Sequence, residues 1–340
     1  MLMHKLYLEL NKDQNQLIVG YHFYYVIFMY NFILGIGHHA TDTCSTCHAF
    51  KLAIKDVNLS NASKQTKTAL YILHRRKAQT FYSLLNDIRP NEITILFDMM
   101  ENLVLPKLPI GEAYYSRQLY LYVLGVVVHR GNQTQHLNDV NFFIWLEFEN
   151  CKDSNMICSA LQHFLIAYLF DSCSNASVLR LFSDSCYGQN KNINMVSMLL
   201  SLRKQHFRNL LITHTFPERG HSYLPADRVF GRVQQDIKKH EQILEPDIYR
   251  DILSRHGRVF VFGQDWSALD FKAEVKKFAK IIKTFKISEG KKLIINSNHL
   301  EIAQCSYHSE PTSHSLLKKG KKWDTFKPSI PATKNCVKNV

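Results

Sequence analysis

The sequence contains no internal repeat and no long low-complexity segment, which excludes a solenoid and a compositionally biased linker. It also lacks a disulfide framework. Of its eight cysteines only Cys44 and Cys47 form a CxxC pair, and others, such as Cys158, lie inside apolar runs. That usage points to a reducing compartment. The start, MLMHKLYLELNKD, lacks the basic-then-apolar order of a signal peptide. Residues 17–37, LIVGYHFYYVIFMYNFILGIG, carry no charge, which raises a membrane reading. His22, Asn31 and four tyrosines interrupt the run, so the expectation is a buried aromatic and β-branched segment, with no membrane partner.

What is present describes a folded chain. Hydrophobic residues make up 46% and charged residues 21% of 340 positions, enough for a sizeable core in one large domain or two ordinary ones. The net charge of +13 suggests a polyanionic partner, of which nucleic acid is the usual one. Fifteen lysines against five acids place +10 of that charge between Phe271 and Val340.

Apolar spacing predicts a helix over 63–88, punctuated by Pro90 and Asn91. Strands follow at 92–100, within 114–130 and at 140–148. A helix is then expected at 155–170, a strand at 177–184, a helix at 190–205, a strand at 209–216 and a helix at 225–241. Pro225 suits the first turn of that last helix. A strand meander followed by alternating elements argues an α/β fold, a mixed sheet flanked by helices. The order β-β-β-α-β-α-β-α is that of an RNase H-like sheet. Three segments are expected: 1–88 with the CxxC and a helix, an RNase H-like domain over 89–245, and a basic region over 246–340.

In that fold Asp98 ends the first strand, Asp184 ends the fourth, and Asp227 lies in the first turn of the last helix. First and fourth strands lie side by side, so the three acids would meet at one edge. Each also has a plain role: Asp98 as a strand terminator, Asp184 as a turn former and Asp227 beside a helix dipole. Together they suit two Mg²⁺ or Mn²⁺ ions, hard cations that take oxygen ligands and drive phosphodiester cleavage in pairs. Asp98 would bridge the ions.

The motifs SDSCYGQNKN (183–192) and GHSYLPADRVFG (220–231) resemble a family of transposon-derived animal proteins with a DDE, integrase-type RNase H-like domain. That family's pattern reads SDxCGGQNKN, then a His-Ser pair, then PCDRxFGxIE. Upstream, DTCSTC (42–47) and PIGEAYYSRQLYLYVLGV (109–126) resemble its DTCxxC and PxxxxYYxRQLWxY, so the likeness runs over about 25–265. The resemblance implies Asp98, Asp184 and Asp227 as catalytic metal ligands, with Gln189, Asn190, His221 and Ser222 in the matching loops. It also implies an N-terminal DNA-reading module, which is expected to be missing from this sequence. There are departures. Ser185 and Tyr187 stand where the family keeps glycine or an unspecified residue, and Tyr187 is expected to crowd the backbone approach. Gln234, two turns after Asp227 and on its face, replaces an acid, and Asp236 lies on the opposite face. These departures favour an alternative: a catalytically inactive, host-retained or decayed DNA-binding derivative. An RNase H-like exonuclease is a further alternative.

Cys44 and Cys47 are half of a tetrahedral zinc site. His74 is the leading third ligand, with His38, His39 and His48 nearby; the competing reading is two free thiols in a turn. His221 would orient water or phosphate near Asp227, or pack against a carbonyl. From Phe271, an amphipathic helix would align Phe271, Val275, Phe278, Ile282 and Phe285 and direct its lysines to solvent or to a DNA backbone. KKGKK (318–322) suits nuclear import. The partners expected are DNA and a second copy of the chain.

Overall fold

The computed structural model describes residues 2–11, 18–31, 43–131, 135–280, 285–296 and 299–331. The chain forms two compact units, Met1–Thr43 and Cys44–Val340.

The first unit holds α1 (Leu2–Asn11) and α2 (Tyr21–Asn31). His4 Nε2 lies 3.0 Å from the Val19 carbonyl oxygen, and the rings of Tyr7 and Tyr24 meet at 5.1 Å. No residue of α2 is buried. For residues 18–31 this corrects the expected buried segment: among the described residues of its unit, the short α1 covers only one side of a helix that is apolar all round; residues 17 and 32–37 lie outside the described residues. No described helix is long and apolar enough to cross a membrane.

The second unit is built on one mixed sheet. Its elements are α3 (Ser45–Lys55), α4 (Asn61–Asn86), β1 (Glu92–Met99), β2 (Leu103–Leu105), α5 (Gly111–Tyr115), β3 (Leu119–Val128) and β4 (Val140–Leu146). They continue with α6 (Ser154–Ala167), α7 (Phe170–Asn175), β5 (Val178–Ser183), α8 (Ile193–Gln205), β6 (Leu211–Thr215) and α9 (Pro225–Lys238). The last are α10 (Pro246–Ser254), β7 (Arg258–Val261), α11 (Phe271–Phe278), β8 (Lys292–Ile295), β9 (Leu300–Ala303) and β10 (Thr312–His314). The strand order is β10-β9-β8-β6-β5-β1-β3-β4-β7, with β2 paired to β3. β1 runs antiparallel to β3 and parallel to β5.

Strand alternation separates two cores. Ile95 and Phe97 of β1 pack with α6, α8 and α11 on one face. Leu96 packs with α4, α9 and α10 on the other, together with Phe182 of β5. Helix starts are set by local capping. Asp153 accepts from Asn155 N–H at 2.9 Å to open α6, and Asn192 accepts from Asn194 N–H at 3.0 Å to open α8.

Segments that the sequence sets apart join this unit. α3 and α4 belong to it, β7 pairs with β4, and β8, β9 and β10 extend the sheet beyond β6. The basic tail therefore contributes four strands to the sheet, alongside α10 and α11. The amphipathic helix expected through Phe285 stops at Phe278, because Ala279 bridges to Leu317 and Lys280 N–H donates to the Leu316 carbonyl at 2.9 Å. Phe285 instead stacks on His314 at 3.9 Å; Ile282 lies outside the described residues.

Candidate functional site: an acidic sheet edge and a cysteine–histidine cluster

Asp98 is the seventh residue of β1 and pairs in register with Gly125 of β3. Phe97 pairs with Ser183 of β5, so Asp98 and Asp184 are adjacent one step further along a parallel ladder. Asp98 shares a face with Leu96, and Asp184 with Phe182. Both residues point towards the side that α9 covers. A methyl group at Gly125 would stand 2.7 Å from the Phe230 ring. The absence of a side chain there lets α9 settle against β1 and β3, and α9 carries Asp227 one turn before Phe230.

Each acid commits one oxygen to its own backbone surroundings. Met99 N–H donates to Asp98 Oδ1 at 2.8 Å. Leu224 N–H donates to Asp227 Oδ2 at 2.7 Å, a helix cap. Asp184 Oδ1 accepts from Cys186 N–H at 3.2 Å and from the Asn190 amide. The other oxygen of each accepts no hydrogen bond from a described residue. Burial, then the charge of Asp184 and more weakly that of Asp227, raises Asp98 from its ordinary 3.8 to about 7. Burial and Asp184 likewise raise Asp227. The three carboxylates thus repel one another across a partly desolvated edge.

The loop after β5 holds this arrangement. Asn190 is buried and fixes Asp184, while Asn192 caps α8 and donates to the Tyr187 carbonyl at 2.8 Å. Gln189 is half-buried. Tyr187 is 64% exposed, so its ring lies at the surface of this loop. Ser185 donates to the Pro217 carbonyl at 3.4 Å. Gln234 is half-buried on α9, and Asp236 binds His256 at 2.7 Å and Lys239 at 2.6 Å.

One participant carried no sequence signal. Lys152, in the turn before α6, donates to Asn102 Oδ1 at 2.9 Å. Burial lowers its pKa, against the pull of Asp98, Cys186 and Asp184. No periodicity or motif marks a lone lysine in a turn.

The second cluster assembles from three places. Cys44 and Cys47 sit at the start of α3, His74 on α4, and His221 in the loop before α9. Cys44 Sγ lies 3.3 Å from His74 Nε2, Cys47 Sγ 3.3 Å from His221 Nε2, and the two Nε2 atoms are 3.0 Å apart. All four donor atoms lie within 4.8 Å of one another. A tetrahedral zinc with Zn–N of about 2.0–2.1 Å and Zn–S of about 2.3 Å requires donor separations of about 3.3–3.8 Å. The set can therefore hold a metal ion such as zinc. Among the described residues these are the side chains of metal-binding type gathered closely enough to share one ion. His221, expected beside Asp227, turns its ring to Cys47 and His74 instead. His48 is exposed, Ser222 is exposed, and His38 and His39 lie outside the described residues.

Residues 112–313 match the model of a family described as a domain of unknown function (DUF7869). The match covers more than half of the chain, and the chain belongs to that family. It contains Asp184, His221 and Asp227; Asp98, Cys44, Cys47 and His74 precede it. No curated protein and no solved structure is significantly similar to the chain.

Proposed function

We propose that the protein is a transposon-derived, DDE-type nucleic-acid-processing protein. It would bind DNA in the nucleus and cleave or join phosphodiesters with two Mg²⁺ or Mn²⁺ ions at Asp98, Asp184 and Asp227. The observation that carries the proposal is positional: Asp98 and Asp184 follow the paired residues Phe97 and Ser183 at neighbouring strand ends, and Asp227 opens the helix packed on that side; the charge of Asp184 accordingly opposes ionisation of both Asp98 and Asp227. An all-oxygen set with spare lone pairs, rendered costly by mutual repulsion, suits hard dications. Two ions about 3.5–4 Å apart need a wider donor set than one ion, with a shared acid between them; Asp98, as the first-strand acid, is assigned that shared place in this proposal. When bound, the ions would activate the attacking oxygen and stabilise the leaving one.

The topology agrees with this reading. The central strands run β4-β3-β1-β5-β6, antiparallel through β3 and parallel from β1 to β6, an order that supports the RNase H-like reading. A groove of about 470 Å³ beside the Asp184 loop is lined by Tyr187, Lys276, Lys280, Phe285 and Lys286. An exposed aromatic ring among lysines suits a nucleic-acid backbone with stacked bases.

A nicking assay on supercoiled DNA with Mn²⁺ tests the proposal. Wild type should cut and Asp98→Asn should not; equal cleavage by both sinks the catalytic claim. One observation favours a second reading. The Lys152 ammonium interacts with Asp98 and Asp184 and can offset their charge without a metal, as in a DNA-binding derivative that has lost chemistry. Such a protein would show no Mn²⁺ binding that depends on Asp98.

A further inference from the structure

The cysteine–histidine cluster and the acidic edge are joined by the five residues between His221 and Asp227. His221 leads through Ser222, Tyr223 and Leu224 into α9, and Asp227 is the third residue of that helix. Everything around this segment ties it to the cluster. Gly220 has φ +75°, and a methyl group there would stand 2.8 Å from Cys44 Sγ and 2.9 Å from Cys44 Cα. The loop therefore lies directly on the CxxC turn, at a position only glycine fills without strain. The Tyr82 hydroxyl of α4 donates to the His221 carbonyl at 3.1 Å. His221 N–H closes a turn on the Glu218 carbonyl at 2.9 Å. Leu224 is fully buried, and its N–H is the donor that holds Asp227 Oδ2.

We infer that zinc bound by Cys44, Cys47, His74 and His221 clamps residues 217–224 to α3 and α4 and thereby sets the position of Asp227. His221 is a positioning residue in this scheme: it binds zinc and acts on the acidic edge through the backbone. The four ligands come from positions 44, 47, 74 and 221, so the ion closes a link that no local sequence pairing supplies. Zinc itself rests on donor geometry alone. Its effect on metal affinity at the acidic edge rests on the function proposed above.

The test uses the full chain. Elemental analysis of purified protein should give one zinc per chain, and Co²⁺ replacement should give the visible spectrum of a tetrahedral thiolate–imidazole site. Absence of both overturns the inference. A zinc chelator added to the wild type should then raise amide hydrogen exchange over 217–230, while β1, β3 and β5 remain protected. Unchanged exchange over 217–230, or equal loss of protection throughout, overturns the clamp. His74→Ala, which leaves every acid and the 217–224 loop sequence intact, should lower Mn²⁺ affinity roughly ten-fold, the loss expected when a supporting shell is removed. Undiminished Mn²⁺ affinity in a zinc-free His74→Ala protein overturns the coupling. Zinc present with no Mn²⁺ binding in the wild type overturns the coupling and the acidic-site reading together, and leaves the clamp to the exchange data.

Discussion

Replacing Asp98 by asparagine should stabilise the metal-free protein, and the gain should depend on pH. Burial and Asp184 raise the Asp98 carboxyl from 3.8 to about 7. The folded state therefore holds a proton that the unfolded chain releases near pH 4. The sign is opposite to that of a salt-bridged acid. Below pH 3.8 the group is neutral in both states and contributes nothing. Between pH 3.8 and 7 unfolding releases the proton, so the destabilisation grows with pH, and above 7 it levels off. At about 1.36 kcal/mol per pH unit, the span sets an upper limit of about 4 kcal/mol. Asparagine is neutral at every pH and keeps an oxygen for the Met99 N–H. Urea unfolding at pH 4, 6 and 8, without added divalent ions, should show the Asp98→Asn gain rising from near zero towards that limit. Mn²⁺ should then stabilise the wild type at pH 8 and leave Asp98→Asn unmoved. A pH-independent gain, or a variant less stable than wild type at pH 8, would refute the electrostatic account.

Gly220→Ala should cost about 1–3 kcal/mol, since it meets both a positive φ and the Cys44 side chain; zinc content measured alongside should fall. Gly125→Ala drives a methyl group against Phe230 and should cost about 1–3 kcal/mol by overpacking; the double variant with Phe230→Leu should regain most of it in the same unfolding assay. Tyr187→Ala should leave thermal stability unchanged, because the ring is exposed, yet weaken single-stranded DNA binding by about 1–3 kcal/mol in a fluorescence titration. Changing Lys276, Lys280 and Lys286 together to glutamine should flatten the salt dependence of DNA affinity by about 0.7–0.9 for each phosphate that the lysines no longer neutralise.

Much of this arrangement was legible in the chain because its causes are local. Strand β1 is expected at 92–100 and found at Glu92–Met99, and α9 is expected at 225–241 and found at Pro225–Lys238. Periodicity, a first-turn proline and end-of-strand acids are properties of neighbouring residues, so Asp98, Asp184 and Asp227 could be assigned to element ends. The amides of the 183–192 loop were marked by composition, but not their roles: Asn190 orients Asp184 and Asn192 caps α8. The tail misled for a physical reason. Phe271 to Phe285 has helical spacing, yet Ala279 finds a strand partner at Leu317, and that pairing ends the helix.

The sequence by itself determined where the main strands and helices between Glu92 and Lys238 lie, which of their faces are apolar, and that three acids stand at the ends of three elements. Tertiary structure decided which of these ends meet. His221 and His74 are 147 residues apart, and nothing between them encodes that their Nε2 atoms meet at 3.0 Å. Gly125 matters only because Phe230, 105 positions later, packs over it. Lys152 becomes part of the acidic edge only when α6 docks against the sheet. Periodicity reports the surroundings of one element, whereas a site is made by the close packing of several.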